Sequence, residues 1–106
     1  MNRFEIFIAY ISWGSGGKSR PVLFLRSNNG RVSVYPVTTQ YNNKSEAIRK
    51  RYFKINDWKQ AGLNVQSYVD TGTLIHLPAS VISNKNPIGK LTVADKKRLF
   101  EFLSRG

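Results

Sequence analysis

The sequence contains no cysteine, and it is poor in histidine and in acidic residues. The absence of cysteine excludes a disulfide framework and a thiolate metal site. His76 is the one histidine, so a mechanism that needs two histidines of one chain is excluded. The six Asp and Glu residues are scattered, whereas catalytic divalent-metal sites need clustered carboxylates. We therefore expect no metal ion and no other cofactor.

Long apolar stretches are also missing. The longest, residues 4–11, is interrupted by Glu5 and is too short to span a bilayer. The first three residues lead directly into strand-like sequence, without the cleavage site of a secretory signal peptide. We therefore expect a cytoplasmic protein with no membrane segment, folded as a single domain over residues 1–106.

Positive charge dominates the composition. Seventeen Lys and Arg against six Asp and Glu give a net charge of +11 on a 12.1 kDa chain, with a pI near 10.4. Such a field attracts polyanions: nucleic acid, an anionic membrane or an acidic protein. A membrane surface calls for a basic amphipathic helix with large apolar residues on its other side, and no stretch is long enough for one. Nucleic acid and an acidic protein are therefore the expected partner classes.

The first forty residues have the pattern of a three-stranded meander. β-Branched and aromatic residues predict a strand over 3–11, and the Gly- and Ser-rich stretch 12–19 is typical of a flexible loop. Pro21 is expected to open the second strand, where a proline is tolerated. Residues 28–30, Asn-Asn-Gly, are a hairpin signal before a third strand over 31–38.

The middle of the chain is strongly basic and predicts shorter elements. A strand is expected at residues 52–55. A short helical turn through residue 60 follows, capped by Asn56 or Asp57 and ended by Gly62. This segment joins the meander to the last third of the chain.

The last third predicts further strands and a final helix. Residues 67–70 and 73–78 resemble two strands or one bent strand. Thr92 is expected to cap the helix, with Asp95 at its third position. The apolar residues on helical spacing are Val93, Leu99, Phe100 and Leu103. The predicted fold class is mainly β (α+β): a curled antiparallel sheet forming a small barrel, with a C-terminal helix packed across it.

Four segments follow one another in an order known from one family of small proteins. Lys18 to Leu25 has the Arg-Pro pair that begins the family's second strand, and Val37 to Gln40 has the hydroxyl groups that end its third. Gly62 to Asp70 matches a strand with an acidic residue, and Ile88 to Thr92 matches the Ile-Gly-x-Leu start of the last helix. The ordered set resembles the MazF/PemK toxins. The resemblance implies an SH3-like barrel, MazF/CcdB-like, that dimerises.

The resemblance also implies an activity: metal-independent, sequence-specific cleavage of single-stranded RNA. Attack by the RNA's own 2′-hydroxyl leaves a 2′,3′-cyclic phosphate and a 5′-hydroxyl. The family's catalytic Arg and Thr correspond to Arg20 and Thr38, and its acidic position to Asp70. A guanidinium fork suits two phosphate oxygens, and a threonine hydroxyl donates to one. Whether Asp70 or Arg20 takes the 2′ proton is open, and Tyr68 stands where some relatives carry arginine.

Cationic, polar and aromatic residues near these positions suit phosphate contacts and base stacking. Trp13, on the expected loop, is the preferred stacking residue. The predicted RNA-binding residues are Trp13, Lys18, Ser19, Thr39, Gln40, Lys44, Arg49, Arg51 and Tyr68. The resemblance implies two protein partners, a second copy of the chain and an antitoxin whose acidic segment covers the basic groove. The toxin–antitoxin complex is expected to bind DNA.

Two other functions stay open, as do structural roles for single residues. The same barrel without catalysis would bind nucleic acid in a salt-sensitive way and form no product. A CcdB-like toxin would act on a protein, although the Trp-Gly-Ile ending of those relatives is replaced here by Ser104-Arg105-Gly106. Asp70 precedes Thr71-Gly72 and is also a good turn residue. His76 is expected to be a surface or hydrogen-bonded residue.

Overall fold

The computed structural model describes residues 1–83 and 85–105. Gly106, on which the contrast with CcdB partly depends, lies outside the described residues. Within these residues the strands and α-helices are β1 (Glu5–Trp13), β2 (Gly16–Asn28), β3 (Arg31–Thr38), α1 (Glu46–Arg49), β4 (Tyr52–Lys54), β5 (Tyr68–Asp70), β6 (Ile75–Pro78), β7 (Gly89–Lys90) and α2 (Val93–Ser104).

The strands form one antiparallel sheet in the order β4-β5-β3-β2-β1-β7, and β6 pairs with β3 beside this path. Residues 31–34 of β3 pair with β6, and residues 37–38 pair with β5. Pro36 falls between these two ladders, and on the other edge of β3 it is paired with Val22 of β2. The sheet curls into a half-barrel, and α2 packs on it. The predicted mainly β fold with a C-terminal helix is confirmed.

Each face of the sheet carries a hydrophobic core, because alternate residues of a strand point to opposite faces. The helix-side core packs against α2 and includes Ile6, Leu23, Val37, Phe53, Val69, Leu91 and Leu99. The opposite core is formed by Phe7, Ala9, Val22, Phe24, Val32, Val34 and Ile82. All of these side chains are buried. The strands therefore have a buried apolar set on both faces.

A hydrogen-bond network fixes the start of α2. Thr92 Oγ1 accepts from the backbone N–H of Asp95 at 3.2 Å, which confirms the predicted cap. The same hydroxyl donates to the Asp57 carboxylate at 2.7 Å. The buried Asp95 carboxylate accepts from the Asp57 N–H at 2.8 Å and from Arg98 at 2.7 Å. These bonds join the turns of residues 56–62 to the helix.

The prediction of a flexible loop at residues 12–19 is wrong, because β1 and β2 run through it as a hairpin. Pairing continues as far as Trp13 opposite Gly16, which leaves a two-residue turn. Gly14 has φ 48°, in the left-handed region that tight hairpin turns need. Glycine and serine do not show the alternation of apolar and polar side chains by which a strand is recognised in a sequence. Pro21 therefore lies inside β2 instead of opening it.

The helical predictions need three corrections. Residues 56–60 form turns and no helix, and the carboxylate of Asp57 bonds to Thr92 instead of capping locally. The short helix α1, capped by the Ser45 hydroxyl, was not predicted. Of the four apolar positions predicted for α2, Leu99 is buried, but Val93 is 81% exposed, Phe100 47% and Leu103 37%. No helix in residues 1–83 and 85–105 is long and apolar enough to cross a membrane.

Candidate functional site

A cleft of about 530 Å³ opens where the ends of β1, β2, β3 and β5 come together. Nine of the predicted site residues line it: Trp13, Lys18, Ser19, Arg20, Thr38, Thr39, Gln40, Lys44 and Asp70. Arg49, Arg51 and Tyr68 do not line it. The lining also includes Tyr52 and Thr73, which the sequence interpretation left out of the site. The three predicted catalytic residues therefore share one concavity.

Strand alternation explains why these side chains meet. Val37 and Val69 belong to the helix-side core, so their neighbours Thr38 and Asp70 lie on the opposite face. Arg20 reaches that face from β2, because it is paired with Ala9 of the opposite core. The cleft thus lies on the same sheet face as the opposite core, at the end of that face where the side chains are polar.

The Arg20 side chain is half-buried in the cleft and has no acidic partner. Within residues 1–83 and 85–105, the one ion pair joins Arg98 to Asp95. In the same residues, Arg20 Nε is the buried side-chain polar atom without a hydrogen-bond partner. Its guanidinium carbon lies 5.9 Å from the centre of the Trp13 ring, within reach of a cation–π contact. A half-buried, unneutralised guanidinium favours an anion in the cleft.

Thr38 ends β3 with its hydroxyl engaged on one side only. The backbone N–H of Gln40 donates to Thr38 Oγ1 at 3.0 Å. That bond uses the hydroxyl as an acceptor and orients it, so its own proton is available to donate. Gln40 Oε1 in turn accepts from the Asn43 amide at 3.1 Å. The segment after β3 therefore presents polar groups along one wall of the cleft.

Both carboxylate oxygens of Asp70 accept hydrogen bonds from the turn that follows it. Oδ1 accepts from the Gly72 N–H at 3.0 Å, and Oδ2 accepts from the Thr73 hydroxyl at 2.8 Å. This is the local pattern that favours aspartate at the start of turns. Asp70 thus has a structural role in the wall of the cleft, and its predicted catalytic role stays a prediction.

Tyr52 faces the cleft from β4, directly opposite Asp70 in the β4–β5 ladder. Burial is the main cause that raises the pKa of its phenol above 10.0, the Asp70 charge adds to the rise, and the Arg51 charge opposes it. The sequence alone predicts that this tyrosine forms a strand or stacks on a base. Its position next to the buried Phe53, which places it on the opposite face of β4, is the signal that points to the cleft.

A row of aromatic rings borders the cleft. Tyr41 stacks on Tyr68 with ring centres 4.3 Å apart and planes at 10°, and its centre is 6.3 Å from that of Tyr52. The Arg49 guanidinium lies 5.8 Å from the Tyr41 ring. Tyr68 is paired with Thr38 across β5 and β3, so the row begins beside the predicted catalytic hydroxyl. Arg51 lies outside the row and holds the Asp70 turn, since its carbonyl accepts from Thr71.

Histidine and carboxylates are not concentrated at the cleft. His76 is exposed on β6 and its Nδ1 forms a 2.9 Å hydrogen bond with the Ser33 hydroxyl, which confirms the predicted surface role. Among the described residues, no three histidine, aspartate or glutamate side chains come together as a metal site would require. The groups available for chemistry in the cleft are therefore cationic, hydroxylic and phenolic, with the single carboxylate of Asp70.

The fold is shared with a solved toxin structure. The chain is similar to Mycobacterium tuberculosis toxin MazF-mt6 with a TM-score of 0.71 and 24% sequence identity, over 95% of this chain and 93% of that chain. No family model matches the sequence, and no curated protein matches it. The structural likeness establishes the MazF fold that the sequence resemblance predicted.

Proposed function

We propose that the chain is an endoribonuclease toxin that cleaves single-stranded RNA in this cleft without a metal ion. The observation that supports the proposal most directly is the half-buried Arg20, whose Nε lacks a partner and whose guanidinium has no carboxylate beside it. It shares the cleft with the Thr38 hydroxyl, on a chain of net charge +11. A polyanion with a scissile phosphate supplies the charge that this arrangement lacks.

The reaction needs little from the protein, because RNA contains its own nucleophile. The 2′-oxygen forms a bond to the adjacent phosphorus while the bond from phosphorus to the 5′-oxygen breaks. One proton leaves the 2′-hydroxyl and one arrives at the 5′-oxygen, which gives a 2′,3′-cyclic phosphate and a 5′-hydroxyl. Arg20 neutralises the charge that grows on the non-bridging oxygens, and Thr38 donates a hydrogen bond to one of them.

RNA binding is assigned to the walls and the border of the cleft. Lys18 and Lys44 contact phosphates, and Ser19, Thr39 and Gln40 supply polar contacts from the two walls. Trp13 offers an exposed ring, 54% accessible, at the end of β1. The stacked row with Arg49 extends the surface for unpaired bases, since base stacking on aromatic rings is sequence-tolerant. Arg51 adds charge beside it.

We also propose four features of the toxin's biology. It acts in the cytoplasm as a homodimer, and an antitoxin with an acidic segment covers the basic cleft. The two proteins together bind DNA. The charge of +11 and the unneutralised Arg20 support an acidic partner for this surface.

The test is cleavage of a long RNA in EDTA by the wild-type protein, Arg20→Ala and Arg26→Ala. Arg26 is an exposed arginine of the same strand outside the cleft, so it controls for the loss of charge. We expect discrete cuts by the wild type and Arg26→Ala, with cyclic-phosphate ends. Arg20→Ala should be slower by about a hundredfold or more, as for other preorganised donors. Salt-sensitive binding of intact RNA by the folded wild type would instead support a non-catalytic binding protein.

A further inference from the structure

The proposed reaction requires a proton at the 5′-oxygen, and few groups of the cleft are able to supply one. Asp70 receives two hydrogen bonds, from the Gly72 N–H and the Thr73 hydroxyl, so both of its carboxylate oxygens are engaged in the turn. Arg20 is already assigned to the charge on the non-bridging phosphate oxygens. Lys18 is exposed to solvent at the rim. A neutral O–H group inside the cleft is the better donor.

Tyr52 is such a group, and the sheet holds it in place. It is half-buried on β4, paired with Asp70, and lines the same cleft as Arg20 and Thr38. The next residue, Phe53, is buried in the helix-side core, where it is 2% exposed and packs edge-on against Phe102. Because Phe53 anchors the strand, the ring of Tyr52 cannot turn to the other face without breaking that packing.

Burial and the charges around Tyr52 favour a phenol that is protonated at rest. Burial and the Asp70 charge raise its pKa, so the hydroxyl is protonated at neutral pH. The Arg51 charge acts in the opposite direction and thus stabilises the phenolate that donation leaves behind. Both charged residues are neighbours of Tyr52: Asp70 is its partner in the β4–β5 ladder, and Arg51 precedes it in the chain.

We propose that Tyr52 is the general acid of the reaction, an inference that rests on the proposed ribonuclease function. As the bond from phosphorus to the 5′-oxygen breaks, its electron pair stays on that oxygen, and the oxygen takes the phenolic proton of Tyr52. The phenolate then recovers a proton from solvent, and the proton that the 2′-hydroxyl loses passes to solvent. The reaction therefore needs no oxidant, metal or other co-reactant.

The experiment compares two RNAs in single-turnover reactions with the wild type, Tyr52→Phe and Tyr35→Phe. In one RNA, sulfur replaces the bridging 5′-oxygen at a mapped cleavage site. A thiolate leaves without protonation because a thiol is a far stronger acid than an alcohol. Tyr35 is half-buried like Tyr52, but it packs against the helix-side core, so its variant controls for the loss of a hydroxyl.

We expect Tyr52→Phe to cleave the normal RNA about a hundredfold to ten-thousandfold more slowly than the wild type. It should cleave the sulfur-containing RNA within about threefold of the wild type, a rescue that a merely structural defect does not produce. Equal losses on both RNAs, or no loss on either, would overturn the assignment of Tyr52 while leaving the proposed function intact. A folded wild type that cleaves neither RNA would overturn both.

Discussion

Gly62 and Gly89 lie backbone to backbone, with no room for a side chain between them. A Cβ on Gly62 would overlap the carbonyl of Ile88, and a Cβ on Gly89 would overlap the carbonyl of Ala61. Gly62 also has φ 89°, which suits glycine alone among common residues. The contact joins the turns of residues 56–62 to β7, and β7 pairs with β1.

Gly89→Ala should therefore destabilise the fold. Overpacking of this kind costs about 1–3 kcal/mol of unfolding free energy, and each kcal/mol lowers Tm by roughly 4–8 °C in a domain of this size. Thermal unfolding measures the effect. Gly16→Ala is the matched control, because its Cβ would make only ordinary contact with the Trp13 ring, at 3.6 Å or more. Equal Tm values for both variants would contradict the close approach.

Asp70→Asn separates a structural role from a catalytic one. The asparagine oxygen still accepts from the Gly72 N–H, but the bond from the Thr73 hydroxyl loses its charged acceptor. We expect about 1–2 kcal/mol less unfolding free energy and an RNA cleavage rate within about threefold of the wild type, since Asp70 transfers no proton in the proposed reaction. Urea denaturation and a cleavage assay check both values. A rate lower by about a hundredfold at unchanged stability would instead support the sequence-based prediction of a catalytic Asp70.

Lys44→Gln tests how many phosphates the cleft neutralises. Each phosphate contact on single-stranded RNA contributes about −0.7 to the slope of log K against log salt concentration. The variant should therefore have a slope smaller in magnitude by about 0.7. Fluorescence titration with an RNA blocked by 2′-O-methyl groups measures binding without cleavage. Lys97→Gln, at an exposed position of α2 away from the cleft, should retain the wild-type slope.

Tyr52 should make stability depend on alkaline pH. Its folded-state pKa is raised above 10.0, by burial first and by the Asp70 charge second. The unfolded chain therefore ionises first, so the contribution is complete below about pH 10 and is lost as pH rises through the folded pKa. Tyr52→Phe should lose less unfolding free energy than the wild type between about pH 9 and pH 11. Urea denaturation across this range measures it, and parallel curves would be inconsistent with the raised pKa.

Predictions from the sequence were most accurate where structure depends on local signals. The Asn29-Gly30 turn and β3 were predicted to the residue. Asn and Gly are the residues that accept the positive φ values such a turn needs, and both have positive φ in the structure. The Thr92 cap was predicted from another local signal, the Thr-x-x-Asp pattern of a capping box. The first five residues of β2, 16–20, were missed, since glycine has no side chain to display alternation and the pairing with β1 is not local.

At the candidate site, too, local signals were predicted from the sequence and non-local relationships were not. Arg20, Thr38 and Asp70 were chosen from the order of resembling segments, and strand register brings them into one cleft. Tyr52 could not be assigned in advance, because its role depends on pairing with a strand sixteen residues later in the chain. The Asp70 turn was foreseen as an alternative, but only the structure shows that both carboxylate oxygens are engaged.

The two cores on opposite faces of the sheet have a consequence for how the protein changes by mutation. Along β3, Val37 supports the helix-side core and the next residue, Thr38, lines the cleft. On β4 and β5, Phe53 and Val69 alternate with Tyr52 and Asp70 in the same way. Adjacent residues of these strands thus serve different purposes, one packing in the helix-side core and the next lining the cleft. Substitutions at the cleft positions therefore change what the cleft binds, whereas substitutions at the intervening positions change the stability of the fold.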